Sequence, residues 1–168
     1  MDYSPKKSLD YAHAKVNRNL YLILFFIFVV IDAIFVFSLA FGDSGAEWNA
    51  TWLAGGLILG WFLICFLPFI LYYQIRMTKI ARLGDLMVTS VVFGQVVDES
   101  FGRSIQMHFE IAFPYNGETL HKETANIFFT RSLFHEANFA DYQNKTVTIG
   151  YSPKEDRVLV FPLLTINQ

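Results

Sequence analysis

The chain has 168 residues, of which 54% are hydrophobic and 17% are charged, and its formal net charge is −2. This length excludes several large domains, and the nearly balanced charge gives no sign of a nucleic-acid-binding protein. The excess of apolar over charged residues is larger than in an average soluble domain and favours a membrane protein.

Residues 1–19 form a polar segment, which we expect to be cytoplasmic, and two long apolar blocks follow it. The blocks cover residues 20–41 and 52–73. At about 1.5 Å per residue each helix would reach roughly 33 Å, enough to cross a hydrocarbon layer of about 30 Å. We therefore predict a transmembrane helical hairpin over residues 20–73. We expect no cleavage of a signal peptide, because the first block is too long and a second span follows it closely.

Asp32 lies near the middle of the first block, which is otherwise rich in Leu, Ile, Phe and Val. A central Asp opposes insertion by about 2.5–3.5 kcal/mol, whereas each of these apolar residues favours it by about 0.3–0.6 kcal/mol. The block holds 17 such residues. The first helix is therefore predicted to insert and to carry its acid into the membrane.

The basic residues near the two blocks predict how the hairpin is oriented. The segment between the blocks contains no Lys or Arg, whereas the flanking segments contain Lys6, Lys7, Lys15, Arg18, Arg76, Lys79 and Arg82. Basic residues are enriched in cytoplasmic loops. We therefore expect both termini in the cytoplasm of a multi-pass protein.

An intramembrane contact is predicted between the two helices. Asp32 lies 12 residues after Leu20, and Trp61 lies 12 residues before Tyr73, so an antiparallel hairpin would place them at similar depth. Gly56 and Gly60 form a small-xxx-small stretch that permits close helix approach. We expect Asp32 to bond to Trp61 or to a partner subunit. The acid could instead belong to a proton or ion site completed by partner helices, or be tolerated without a role.

Residues 74–83 link the hairpin to a β domain over residues 84–168, by extension of the second helix. Residues 86–99 are predicted to form one long strand, and "RSIQMHFEIAF" alternates apolar and polar residues as a half-buried strand does. Asn116-Gly117 predicts a tight hairpin, and Pro153 lies at the turn of a closing hairpin. The segment "RSLFHEANFADY" predicts a short helix. The expected fold is an α+β membrane protein, whose five-stranded antiparallel β domain forms a barrel or a sandwich with one short helix.

The predicted hairpin register brings four polar residues to one face of the sheet. Glu110 would lie opposite Glu123, with His108 and His121 near them on the same face. Two His and two carboxylates could bind zinc or a similar metal. A solvated polar face explains the same pattern and is the interpretation that we prefer, so we expect no cofactor. No fixed-spacing motif brings Ser, His and Asp together, and no catalytic residue is predicted.

Three segments of the β domain resemble a known family. The segments are "GDLMVTSVVFGQVVDESFG", "FPYNGETL" and "NKTVTIGYSPKEDRVLV". They are similar to the bacterial membrane proteins grouped as the domain of unknown function 3592 family, over roughly residues 84–160. Asn144-Lys145 stands where that family usually has a Gly. The resemblance implies a bacterial membrane setting and no known activity.

The sequence therefore favours a non-enzymatic, membrane-anchored binding module in the bacterial cytoplasmic membrane. We expect it to act as an accessory or regulatory subunit of a membrane complex. Its partners would be the lipid bilayer and another membrane protein or a second copy of the chain, with no nucleic acid. Two alternatives remain: an immunity protein against a membrane-targeted toxin, and a metal-dependent enzyme that uses the His/Glu face.

Overall fold

The computed structural model describes residues 3–41, 48–92, 95–98, 104–124, 127–130 and 146–162. These residues contain a 3-10 turn (Pro5–Lys7), two α-helices and seven strands. The elements are α1 (Leu9–Phe41), α2 (Trp48–Ala81), β1 (Met87–Val92), β2 (Gln95–Asp98), β3 (Ser104–Tyr115), β4 (Glu118–Glu123), β5 (Ile127–Thr130), β6 (Thr146–Ser152) and β7 (Arg157–Val160). The short helix predicted within residues 131–142 lies outside the described residues.

The chain divides into two compact units. Residues 14–76 form a helical unit, and residues 1–13 and 77–168 form a β unit. The N-terminal residues thus belong with the strands, although the sequence suggested a separate segment over residues 1–19. As predicted, α2 continues beyond the apolar block, as far as Ala81.

Aromatic stacking holds α1 and α2 side by side within the helical unit. Tyr21 stacks on Phe69 with ring centroids 5.0 Å apart. Two helical turns further along α1, the ring centroid of Phe28 lies 4.9 Å from that of Phe62 and 5.5 Å from that of Phe66. As the residue number rises along α1, the residue number of the contact partner on α2 falls. The two helices are therefore antiparallel, as a hairpin requires.

Both helices are long and apolar enough to span a membrane, by length and composition. Only 11% of the apolar window of α1 and 6% of that of α2 are buried within the structure. A core helix of a soluble protein would be mostly buried. The apolar side chains of this pair instead face outward.

The described strands form two antiparallel sheets rather than a closed barrel. One sheet has the order β1-β6-β7, and the other has the order β2-β3-β4 with β5 also paired to β3. The single long strand predicted over residues 86–99 is divided, because β1 pairs with β6 and β2 pairs with β3. The chain thus leaves one sheet for the other between Val92 and Gln95.

Residues from both sheets share one buried cluster. Alternate side chains of β3 and β6 point into it, as the period-two pattern predicts. Phe109, Ile111, Val147, Ile149 and Val160 are all buried members of this cluster. Leu9, from the first turn of α1, completes the cluster. Its participation was not predicted.

The β3–β4 hairpin has the predicted register. Asn116 and Gly117 both have positive φ, 51° and 87°, as a two-residue hairpin turn of this sequence requires. Glu110 pairs with Glu123, and Ala112 pairs with His121. The turn chemistry in the sequence was therefore sufficient to fix this pairing.

Candidate functional site

Asp32 occupies the face of α1 that is turned toward α2. Phe28, Asp32 and Val36 are spaced by four residues and lie along one side of the helix. Phe28 contacts Phe62, and Val36 contacts Gly55, so Asp32 lies between two helix–helix contacts. Asp32 is only 8% exposed, although many of the large apolar side chains of α1 are exposed. Within the described residues, Asp32 Oδ1 has no hydrogen-bond partner.

The two helices lie in close contact at Gly55. A Cβ atom added there would overlap Val36 Cγ2, whereas Cβ atoms at Gly56 and Gly60 would meet nothing within 4 Å. The close approach therefore falls one residue before the predicted Gly56, and Gly60 takes no part in it. Gly55 and Phe62 are seven residues apart, about two helical turns, so both lie on the face of α2 that is turned toward α1.

The structure does not bring Asp32 and Trp61 together. Trp61 is 65% exposed, and it follows Gly60 on the outward side of α2. Its neighbour Phe62 contacts α1, and each residue turns the helix by about 100°. The indole therefore points away from the helix that carries the acid.

A cavity of about 400 Å³ lies between the helices beside Asp32. Its lining is otherwise apolar and aromatic and includes Val36, Phe37, Phe41, Trp52 and Gly56. Among the described residues that line it, Asp32 is the one with an ionisable side chain. The helical unit therefore contains a carboxyl group at the wall of an apolar pocket.

The polar face of the β3–β4 hairpin forms as predicted, but its groups are spread over an open surface. Glu110, His121 and Glu123 are exposed, and His108 is half-buried. No cluster of three or more His, Cys, Asp or Glu suited to a metal occurs in the part of the chain that the structure describes. His108 pairs with Val97 of β2, on the other edge of β3.

A second polar cluster, in the β unit, was missed by the sequence analysis. Ser8, Asp10 and His13 are buried at the start of α1. Asp10 Oδ1 accepts a hydrogen bond from Arg157 Nη2 of β7 at 3.3 Å. The backbone N–H of Tyr11 donates to Ser8 Oγ at 3.2 Å. A Ser N-cap with an acid two residues later is a known helix-start pattern, and this pattern could have located the true beginning of α1.

The turn between β6 and β7 carries a third group of polar contacts. Lys122 Nζ donates to Asp156 Oδ2 at 2.6 Å, and the Tyr151 hydroxyl donates to Asp156 Oδ1 at 2.8 Å. These two hydrogen bonds, that of Lys122 first, hold the pKa of Asp156 below its ordinary value. The bond to the Asp156 carboxylate raises the pKa of Tyr151. Lys122 lies in one sheet and Asp156 follows a strand of the other, so the contact joins the two sheets.

Comparisons with protein-family models, with curated proteins and with solved structures found no match to this chain.

Proposed function

We propose that the chain is a non-enzymatic, membrane-anchored binding module that serves as an accessory or regulatory subunit of a bacterial membrane complex. The observation that carries this proposal is the outward face of α2. Leu53, Leu57, Trp61 and Ile64 follow one another along this face, and each is at least 65% exposed. These apolar side chains need lipid or another protein to cover them.

The glycines on this face favour a protein partner over lipid alone. Gly56 and Gly60 lie one turn apart, and neither has an atom of the hairpin within 4 Å of its Cβ position. Small residues at this spacing let a second helix approach the backbone closely in a membrane. Because the hairpin itself closes at Gly55 and Gly56 borders the cavity beside Asp32, the Gly60 end of this stretch remains available to another subunit or to a second copy of the chain.

The proposed location is the bacterial cytoplasmic membrane, with both termini inside the cell. Support comes from the basic residues that flank the two apolar blocks and from the absence of Lys and Arg between the blocks. The resemblance to the domain of unknown function 3592 family points to the same setting.

Co-purification tests the proposed function. The tagged chain, expressed at its native level, is crosslinked in cells, extracted in mild detergent and analysed for stoichiometric membrane partners. We expect a partner, or a second copy, that is lost in Gly60→Leu and retained in Ser38→Leu, an apolar substitution on α1. Recovery of a monomeric chain without a partner, or equal recovery from both variants, would contradict the proposal.

Cysteine labelling tests the topology. On a Cys65→Ala background, single cysteines are placed at Ser44 and at Glu155 and treated with an impermeant maleimide on intact cells. Glu155 is exposed in the β6–β7 turn, and Ser44 lies outside the described residues. We expect Ser44→Cys to react on intact cells and Glu155→Cys to react only after permeabilisation. The reverse pattern would refute the orientation.

A further inference from the structure

The cavity beside Asp32 has the size and lining of a small-molecule site. Its volume of about 400 Å³ falls in the range of about 300–1,000 Å³ that is typical of ligand pockets. Such pockets are mostly apolar and hold a few polar groups that fix the ligand's orientation, and they often lie between helices. Gly56 contributes no side chain to the wall, and nothing lies within 4 Å of its Cβ position. The space beside Gly56 is therefore open to an occupant.

The chemistry of the lining selects the charge of that occupant. Asp32 is 8% exposed, and its Oδ1 has no hydrogen-bond partner among the described residues. A buried carboxyl group without a partner is costly, and a cation or a hydrogen-bond donor would relieve that cost. Phe37, Phe41 and Trp52 line the same cavity, and the rings of Phe37 and Phe41 lie 4.6 Å apart. Aromatic faces attract cations, and the effect is strongest where water is excluded.

We infer that this cavity binds a monovalent organic cation with an apolar body, such as a protonated arylalkyl amine. The ammonium group pairs with the Asp32 carboxylate, and the apolar body lies against the aromatic and aliphatic wall. An anion would be repelled by Asp32, and an apolar molecule without a polar group would leave the acid unpartnered. This inference goes beyond the proposed subunit role, because it concerns a site inside the helical hairpin and needs no second protein.

Binding of phenylbutylamine to the purified full chain tests the inference. The chain is placed in nanodiscs of zwitterionic lipid, and Trp48→Phe and Trp61→Phe leave Trp52, in the cavity wall, as the fluorescent reporter. Phenylbutanol, similar in shape but neutral, is the matched ligand, and empty nanodiscs correct for partitioning into lipid. We expect saturable binding of the amine to one site per chain. Asp32→Asn should weaken amine binding by about 10- to 100-fold, as expected for a lost charged hydrogen bond, and should leave binding of the alcohol nearly unchanged.

A matched pair of glycine substitutions tests the position of the site. Gly56→Leu places a side chain in the cavity and should abolish amine binding. Gly60→Leu adds the same side chain one turn away, where the Cβ position is equally open, and should leave amine binding intact. Both substitutions are made in the same reporter background, and far-UV circular dichroism checks that the helices remain formed.

Several results would overturn the inference. Amine binding that is unchanged by Asp32→Asn would show that no charge is recognised, and an equal loss of alcohol binding would show that the site is not selective for cations. Equal effects of Gly56→Leu and Gly60→Leu on amine binding would show that the amine does not bind in the cavity beside Gly56. Crosslinking between copies through Ala33→Cys, in the absence of amine, would assign the cavity to a second copy of the chain. None of these outcomes depends on whether a partner co-purifies from cells, so the inference and the proposed function can fail separately.

Discussion

Replacing Arg157 should loosen the whole β unit, because this residue ties the start of α1 to the last strand. Arg157 Nη2 lies 3.3 Å from Asp10 Oδ1. The Asp10 side chain is completely buried, whereas the Arg157 side chain is 29% exposed. Arg157→Met keeps much of the apolar stem and removes the guanidinium. A buried carboxylate would then lose its contact with the Arg157 guanidinium.

The expected loss of stability lies between two limits. Removing one partner of a fully buried ion pair costs about 3–5 kcal/mol, and an exposed pair contributes only about 0–1 kcal/mol. Here one partner is buried and the other is partly hydrated. Asp10 also retains at least one further interaction and lies in the first turn of α1, where the helix dipole favours an anion. We therefore expect a loss of about 2–3 kcal/mol, close to the value of about 1.5–3 kcal/mol for a hydrogen bond to a charged group.

Amide hydrogen exchange of the detergent-solubilised chain measures this loss. For amides of β6 and β7 that exchange through cooperative opening, a loss of about 2–3 kcal/mol speeds exchange by about 30- to 150-fold. Lys154→Met removes a cation from the exposed β6–β7 turn and serves as the control, with an expected change below about threefold. Asp10→Asn combined with Arg157→Met should cost less than the sum of the two single changes. If the amides of β6 and β7 in Arg157→Met exchange within about twofold of their rates in the unaltered chain, the ion pair does not hold the N-terminal segment on the strands.

Two further predictions concern the helix contact and the β6–β7 turn. Gly55→Ala should weaken the helix pair by about 1–3 kcal/mol through overpacking against Val36, measured as a lower thermal midpoint in mild detergent. Gly60→Ala, with open space around it, should not lower that midpoint. Equal thermal midpoints for the two variants would contradict the close packing at Gly55. The hydrogen bond from Lys122 is the main cause of the lowered pKa of Asp156. The ionised Asp156 carboxylate therefore stabilises the fold above about pH 4, and this stabilisation is lost as the pH falls through the folded-state pKa. Lys122→Met should raise the pKa of Asp156 toward its ordinary value, which carboxyl NMR titration would detect, and an unshifted midpoint would argue against the contact.

Local pattern was enough to predict the parts of the β unit that depend on neighbouring residues. Asn116-Gly117 fixed the β3–β4 register, and the alternation along β3 placed Phe109 and Ile111 in the core. The split of residues 86–99 between two sheets was not predictable in the same way. Val88 and Val96 both belong to segments with strand character, and periodicity alone does not show that their strands pair with different partners.

The N-terminal cluster was missed because its partners are far apart in sequence. Asp10 and Arg157 are separated by 147 positions, and neither residue lies in a motif that links them. Leu9 and Asp10 also precede the long apolar block, and that block dominated the prediction of where the helix begins. The capping pattern around Ser8 was visible in the sequence, but which surface the capped turn packs against depends on the tertiary fold.

Asp32 shows how an estimate of depth from residue counting gives an incomplete picture of a site. Interpolating between the Phe28–Phe62 and Val36–Gly55 contacts places Asp32 level with residues 58–59 of α2. Trp61 therefore lies only about 4 Å away along the helix axis, at about 1.5 Å per residue. Depth follows from counting residues, but the direction of a side chain changes by about 100° per residue. The Phe28–Phe62 and Val36–Gly55 contacts show which faces of the two helices meet. With these faces in contact, Trp61 points outward and Asp32 lies at the wall of the cavity. The same rotation places the exposed Leu53, Leu57, Trp61 and Ile64 on one side of α2 and leaves Gly55 and Leu59 on the side of the cavity that holds Asp32.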